Sequence, residues 1–260
     1  MAVLCVPAAG LADDRPLVAV LDQPVNLPAW AGPSHPRTAV VPRQCQGGHG
    51  LRMAAIVRDE APTALIRSVP VTPCVDQPIL AKGVLEGIDR ALDDQAAVLS
   101  ASLGFDPFDY AGLTVPVARS LDRLADSQAV LVIASGNGWR TDPNRWPANH
   151  PLADNVIVAR PFLPSIGRAD GVPPGDDPVR QQRTVLVDTN TAVVLPDGGI
   201  TARSGSSGAA AALAGMIAQR MAGTGSTAVA AAQSILDTAR PVNEHDPARH
   251  GRGRVDLDTE

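Results

Sequence analysis

The feature that most limits how this chain can fold is a set of short apolar runs with almost no polar alternation. They are Leu17–Leu21, Ala96–Gly104, Ala129–Asn137, Asn155–Ala159 and Thr184–Val187. A strand wetted on one face alternates apolar and polar residues, so an unbroken apolar run of this length suits a strand covered on both faces. Segments of helical period lie between the runs. Ile79–Asp93 puts Leu80, Val84, Leu85, Ile88 and Leu92 on one side, and Val115–Asp126 is a second amphipathic helix. Leu51–Val57 and the Ala-rich Thr227–Ala239 are further helical segments. Strands alternating with helices predict an α/β fold: a doubly wound, mostly parallel sheet with helices on both faces, in a single domain. Residues 58–80 read as irregular, 163–180 as an exposed loop, and 26–47 as Pro-rich loop with a weak strand at Thr38–Val41.

Composition narrows the classes of function. At 260 residues and 45% hydrophobic, the chain can bury a full core, and with 3% aromatics it must do so with small aliphatic side chains. Its 22 Lys+Arg are outnumbered by 27 Asp+Glu and form no basic run, so no nucleic-acid partner is expected. No apolar segment approaches the length of a membrane span.

Ala2–Ala12 is apolar, ends Gly10-Leu11-Ala12, and gives way to Asp13-Asp14-Arg15. Residues 1–12 therefore read as the remnant of a secretory leader, with 13–260 as the folded domain. The expected location is secreted or periplasmic, with cytoplasmic as the alternative. Without the leader, Cys45 and Cys74 remain as an even pair, open to one disulfide or to two buried thiols. They lack metal-ligand spacing.

Open α/β sheets place their sites at the C-terminal ends of strands. The first apolar run ends there on Asp22. Gly47-Gly48-His49-Gly50 presents His49 at a helix start, where an isolated His is more often a cap or a surface residue. Asn137 closes the run Ala134-Ser135-Gly136-Asn137, a position that turn chemistry alone would explain. In Ser204–Gly215 a Gly/Ser turn enters a run of small residues that suits a tightly packed helix, with Ser207 in its first turn. A Ser cap on a core helix is the plain reading, and an anion site at the helix start is a second. The free N–H groups and positive dipole end of that turn also suit a nucleophile whose intermediate is an oxyanion.

Asp22, His49, Asn137 and Ser207 occur in the order used by the subtilisin solution to the Ser-His-Asp arrangement. The local motifs agree. Val18–Asp22 resembles the Asp motif of the subtilisin-like serine proteases, Gly48–Ile56 the His-helix motif, and Gly205–Gly215 the nucleophile motif. Ser102-Leu103-Gly104 is similar to the segment that pairs with substrate backbone, and Ala134–Asn137 to the oxyanion strand. Pro147–Asn149 with Asn155–Ala159, and the closing Gly251–Asp256, extend the resemblance over residues 17–257.

The resemblance implies a serine endopeptidase acting on peptide or protein substrates. Ser207 would be the nucleophile, His49 the general base and acid, and Asp22 the group that fixes the His tautomer. The Asn137 amide and the Ser207 N–H would form the oxyanion hole. Ser102, Leu103 and Gly104 would add a substrate strand by backbone pairing, with Ala134, Ser135 and Gly136 as further substrate-binding residues. No cofactor and no metal site are expected. A structural calcium is compatible with the family, although no calcium loop is legible here. Oligomeric state is left open.

The chain departs from the family pattern at Gln23-Pro24, at Leu51-Arg52, at Phe105, at Gly208, and at Ala211, where a Pro is usual. None of these changes removes a catalytic group. They keep a second reading in play, a catalytically weak or inactive protein of the same fold that binds peptides or a partner. An α/β-hydrolase esterase fits poorly. Its elbow is Gly-x-Ser-x-Gly with the His last, whereas Ser207 is followed by Gly208-Ala209, and His245 and His250 fall in a tail read as solvated.

Overall fold

The apolar runs become the inner strands of one sheet. The computed structural model describes residues 14–27, 42–103, 114–137, 154–195 and 198–255. In chain order the elements begin β1 (Leu17–Asp22), α1 (Gly48–Glu60), β2 (Leu65–Pro70), α2 (Ala81–Asp93), β3 (Val98–Ala101) and α3 (Thr114–Ala125). They continue with β4 (Val130–Ala134), β5 (Val156–Leu163), β6 (Arg168–Ala169), α4 (Pro178–Arg183), β7 (Thr184–Asp188), β8 (Thr191–Val194) and β9 (Ile200–Arg203). The chain then forms α5 (Gly205–Thr224), α6 (Ala228–Asp237), α7 (Pro247–His250) and β10 (Arg254–Val255).

The main sheet runs β10-β7-β5-β4-β3-β1-β2, every neighbouring pair parallel, with β6 antiparallel on β5. Strand order reverses beside β1, since the chain goes outward to β2 and then crosses back to β3. In doubly wound sheets the crevice at such a reversal is where ligands bind. Successive side chains on the strands face opposite ways. Val18, Val20, Val98, Val132, Ile157, Ala159 and Val185 join the core under α1, α5 and α6. Ala19, Leu21, Leu99, Leu131, Ile133 and Val158 join the core under α2 and α3.

Helix α5 explains its own composition. Ala209 through Ala212 are fully buried, and a Cβ on Gly215 would lie 2.5 Å from Glu60 Cβ and 3.0 Å from Val57 O. Only small residues let α5 lie this close to α1 and to the sheet. No helix among the described residues is long and apolar enough to cross a membrane.

Two segments differ from the sequence reading. Residues 58–80 are not wholly irregular, because they contain β2. Its apolar pattern is broken by Arg67 and Ser68, both buried, and the Arg67 charge is compensated by an ion pair with buried Asp94. Residues 163–180 contain β6 and the start of α4. The side chain of Asp177 caps α4, accepting from Val179 N–H at 2.9 Å, and Pro178 opens it.

The β8–β9 hairpin lies apart from the main sheet and leads straight into Ser204. His245 and His250 are half-buried rather than solvated, with ring centroids 5.6 Å apart. Cys45 and Cys74 are joined in a disulfide, Cα to Cα 4.3 Å. The leader stretch 1–12, the weak strand Thr38–Val41, Gly104, Phe105 and Pro147–Asn149 lie outside the described residues.

Candidate active site

The C-terminal edge of the sheet gathers the candidate residues because β1, β3 and β4 are parallel and in step. Leu21 pairs with Ala101, and Ala101 with Ile133, so Asp22, Ser102 and Ala134 emerge along one row. Asn137 follows three residues after Ala134. α1 begins against Asp22, and the first turn of α5 meets both Ser102 and Asn137.

Asp22 is 3% exposed. A carboxylate so enclosed needs hydrogen-bond partners, because burial strips away its water. Gln23 N–H donates to Oδ1 at 2.7 Å, and His49 Nδ1 lies 2.9 Å from Oδ1 and 2.8 Å from Oδ2. A carboxylate offers acceptors, so the ring turns its Nδ1–H toward Asp22, and in the neutral ring Nε2 is then the acceptor.

The Gln23-Pro24 departure is accommodated by the glycines ahead of α1. Gly47 N–H donates to Pro24 O at 2.8 Å. A Cβ on Gly47 would overlap the Gln23 side chain, and one on Gly50 would stand 2.8 Å from Gln23 O and 3.4 Å from Asp22 Cβ. The bulk that replaces a small residue after the Asp is received by the missing side chains of Gly47 and Gly50. The disulfide closes the same region from outside, since Cys45 lies just before Gly47 and Val75 N–H donates to Cys45 O at 3.1 Å.

Ser207 is half-buried in the first turn of α5. Its hydroxyl donates to Ser102 O at 3.3 Å, and the Ser102 hydroxyl donates back to Ser207 O at 2.9 Å. Among the described residues there is no hydrogen bond between His49 and Ser207. The structure therefore joins Asp22 to His49 and Ser207 to Ser102, and leaves the step between imidazole and hydroxyl open.

Asn137 meets the residue before Ser207. Its Oδ1 accepts from Ser206 N–H at 2.9 Å and from Ser206 Oγ at 3.0 Å. With Oδ1 engaged, the NH2 end of the amide is the part directed away from Ser206. Gly205 has φ +61°, and a Cβ there would lie 2.8 Å from Asn137 Oδ1. Ser206 contacts the candidate site, and the motif reading passes over it. The signal available for it is its place between a turn glycine and the candidate nucleophile.

The remaining candidates divide between packing and backbone. The side chains of Leu103 and Ala134 belong to the two cores, one on each face of the sheet. Ser102 and Ser135 are buried, with Ser135 Oγ donating to Gly136 O at 3.3 Å. Any role for these residues in binding therefore falls to the backbone. Pairing between β3 and β4 ends at Ala101 and Ile133, and Ser102–Leu103 and Ser135–Gly136 run on beyond it. Two backbones that part at a sheet edge suit the addition of an extended peptide. Among the described residues, no three His, Cys, Asp or Glu side chains gather as a metal ion would require.

No family model matches the sequence, and no curated protein matches it. Solved structures do match. The prenylagaramide maturation protease PagA aligns over 94% of this chain and 91% of its own, with TM-score 0.73 and 21% identity. The self-cleaved protease domain of PatA aligns over 93% of each chain, with TM-score 0.70 and 21% identity. A lanthipeptide protease aligns over 93% of this chain and 85% of its own, with TM-score 0.68 and 15% identity. The chain has the subtilisin-like fold that these structures share.

Proposed function

We propose that this protein is a serine peptidase that hydrolyses peptide bonds with Asp22, His49 and Ser207, using Asn137 and the Ser207 N–H as the oxyanion hole. The observation that carries the reading is the Asp22–His49 pair, in which a buried carboxylate grips Nδ1 of a half-exposed imidazole at 2.8 and 2.9 Å. That arrangement fixes the tautomer in which Nε2 can take a proton.

In the reaction, the Ser207 hydroxyl turns from Ser102 O toward His49 Nε2. Contacts of this kind are commonly loose before substrate arrives. Ser207 Oγ attacks the scissile carbonyl as His49 takes its proton, and the imidazolium formed is stabilised by Asp22. His49 then delivers the proton to the leaving amine, and water repeats the sequence on the acyl-enzyme. The developing oxyanion accepts from Asn137 Nδ2 and Ser207 N–H, each such donor being worth about 100- to 1000-fold in turnover. An extended peptide backbone between Ser102–Leu103 and Ser135–Gly136 is the substrate form that suits the site. PagA is described as a maturation protease, which favours a peptide substrate here too. No step calls on a cofactor. The disulfide and the apolar stretch 1–12 favour a secreted or periplasmic setting.

The test is covalent labelling. An alkyl fluorophosphonate is expected to label Ser207, and Ser207→Ala to abolish the label. A second reading, a peptide-binding protein of the same fold, draws on the Ser207 hydroxyl being bonded to Ser102 O rather than to His49. Folded protein that stays unlabelled while binding peptides would favour it.

A further inference from the structure

Strand β5, Val156–Leu163, is apolar apart from one arginine. Arg160 is 3% exposed. Burial is the main reason its guanidinium pKa is brought down to about 10; the Arg249 charge adds to the effect, and Asp170 opposes it. A charge held at that cost should be holding something in return.

What it holds is a pair of backbone carbonyls. Its guanidinium donates to Gly171 O at 3.0 Å and to Arg249 O. The N–H of Gly171 is held as well, donating to Asp170 Oδ1 at 2.8 Å. Gly171 sits at φ +77°, directly against the candidate substrate segment. A Cβ there would lie 2.6 Å from Gly136 O and 2.8 Å from Ser135 Oγ. From the other side, Ser135 N–H donates to Ala159 O at 3.1 Å, the carbonyl just before Arg160. Ser135–Gly136 is thus enclosed between β5 and a glycine whose N–H and C=O are both clamped.

We infer that Arg160 is a positioning residue for substrate: through Gly171 it fixes Ser135–Gly136 as one wall of the peptide channel. The inference rests on the peptidase reading above. The opposing explanation is that Arg160 only staples the C-terminal segment through Arg249 O. Gly171→Ala separates the two, because it disturbs Ser135–Gly136 and leaves Arg160 intact.

The experiment compares two inactivators of Ser207. An alkyl fluorophosphonate needs little of the channel, whereas a dipeptidyl diphenyl phosphonate must lie along it; the peptidyl probe is the member of a small set that reacts fastest with the unaltered protein. The ratio of the peptidyl to the alkyl rate is expected to fall about tenfold in Arg160→Met and in Gly171→Ala, and to recover in part in Arg160→Lys. Amide hydrogen exchange over residues 134–137 supplies a readout independent of catalysis. It is expected to quicken in Arg160→Met and in Gly171→Ala alike.

An unchanged rate ratio together with unchanged exchange in both variants would overturn the inference. So would changes confined to Arg160→Met, which would support the staple instead. If Arg160→Met fails to fold, Arg160→Lys carries both measurements, with a smaller fall in the ratio expected and no change in either overturning the inference. If the unaltered protein reacts with neither inactivator, the peptidase reading falls by itself, and exchange over 134–137 alone decides whether the clamp positions this segment.

Discussion

Asn137 Oδ1 accepts two hydrogen bonds from Ser206, one from its N–H at 2.9 Å and one from its hydroxyl at 3.0 Å. The residue before the proposed nucleophile thereby sets which end of the Asn137 amide is available as a donor. An amide held by both bonds cannot turn over without losing them, so its NH2 group is oriented before substrate arrives. Preorganised donors of this kind are effective because they need not reorient during the reaction.

Asn137→Ala is therefore expected to lower kcat about 100- to 1000-fold. Ser206→Ala removes only the hydroxyl contact and leaves the N–H in place. A loss of about 1 kcal/mol, or about fivefold in kcat, is expected. Steady-state rates on one peptide substrate check both. Equal effects from the two substitutions would contradict the separate roles assigned to them.

Gly50 is a second point where a small change should reach the chemistry. In an ordinary helix Ala is better than Gly by about 1 kcal/mol. Here its Cβ would lie 2.8 Å from the Gln23 carbonyl, which is backbone and cannot step aside cheaply. α1 would have to move, carrying His49 away from Asp22. Gly50→Ala is expected to cost about 100-fold in kcat, the scale of a misplaced catalytic group. The rate of fluorophosphonate labelling should fall with it. A fully active variant would show that α1 has room the structure does not suggest.

The strands legible in the sequence are those with unbroken apolar runs, such as Val130–Ala134, where burial on both faces leaves little choice of residue. β2 is not legible, because buried Arg67 and Ser68 interrupt it and the ion pair that makes Arg67 tolerable comes from Asp94, far along the chain. The same holds at the site. Asp22 and His49 stand at element ends that the pattern marks, and they meet. Ser206 and Arg160 are placed by contacts with Asn137 and Gly171, 69 and 11 residues away, which no helix or strand period encodes.

Arg203 and Glu60 link the two helices of the site from behind. Arg203 closes β9 just ahead of Ser204, Glu60 ends α1, and their side chains form an ion pair with exposures of 10% and 7%. Arg203 also reaches Asp59 at 3.3 Å. Removing one partner of a buried pair leaves the other charge uncompensated, at a cost of about 3–5 kcal/mol. Arg203→Met is expected to fall in that range by chemical denaturation. Adding Glu60→Gln to it should recover part of the loss, because the stranded charge is then gone. A double variant no more stable than Arg203→Met would argue against the pair as the source of the cost.

His250 supplies a prediction with a sign fixed by its surroundings. Its pKa lies below the ordinary value of 6.5, first because of burial and then because of His245, Arg160 and Arg249, with Asp246 opposing them. Its Nδ1 accepts the Asp246 N–H at 3.0 Å, a bond that requires that nitrogen to be unprotonated. Above the unfolded pKa both states are neutral at this residue, and the full stability is present. As pH falls through about 6.5 the unfolded chain takes up a proton that the folded one resists, so stability declines until the folded pKa is passed. His250→Asn removes the titration while keeping a side chain able to accept the N–H. The fall in stability with acidification below about 6.5 is expected to be shallower in this variant than in the unaltered protein. Denaturation midpoints measured in steps from about one unit above the ordinary His value to about one and a half below it check the difference. Parallel curves for the two proteins would mean that His250 is equally easy to protonate folded and unfolded, contrary to its burial among cations.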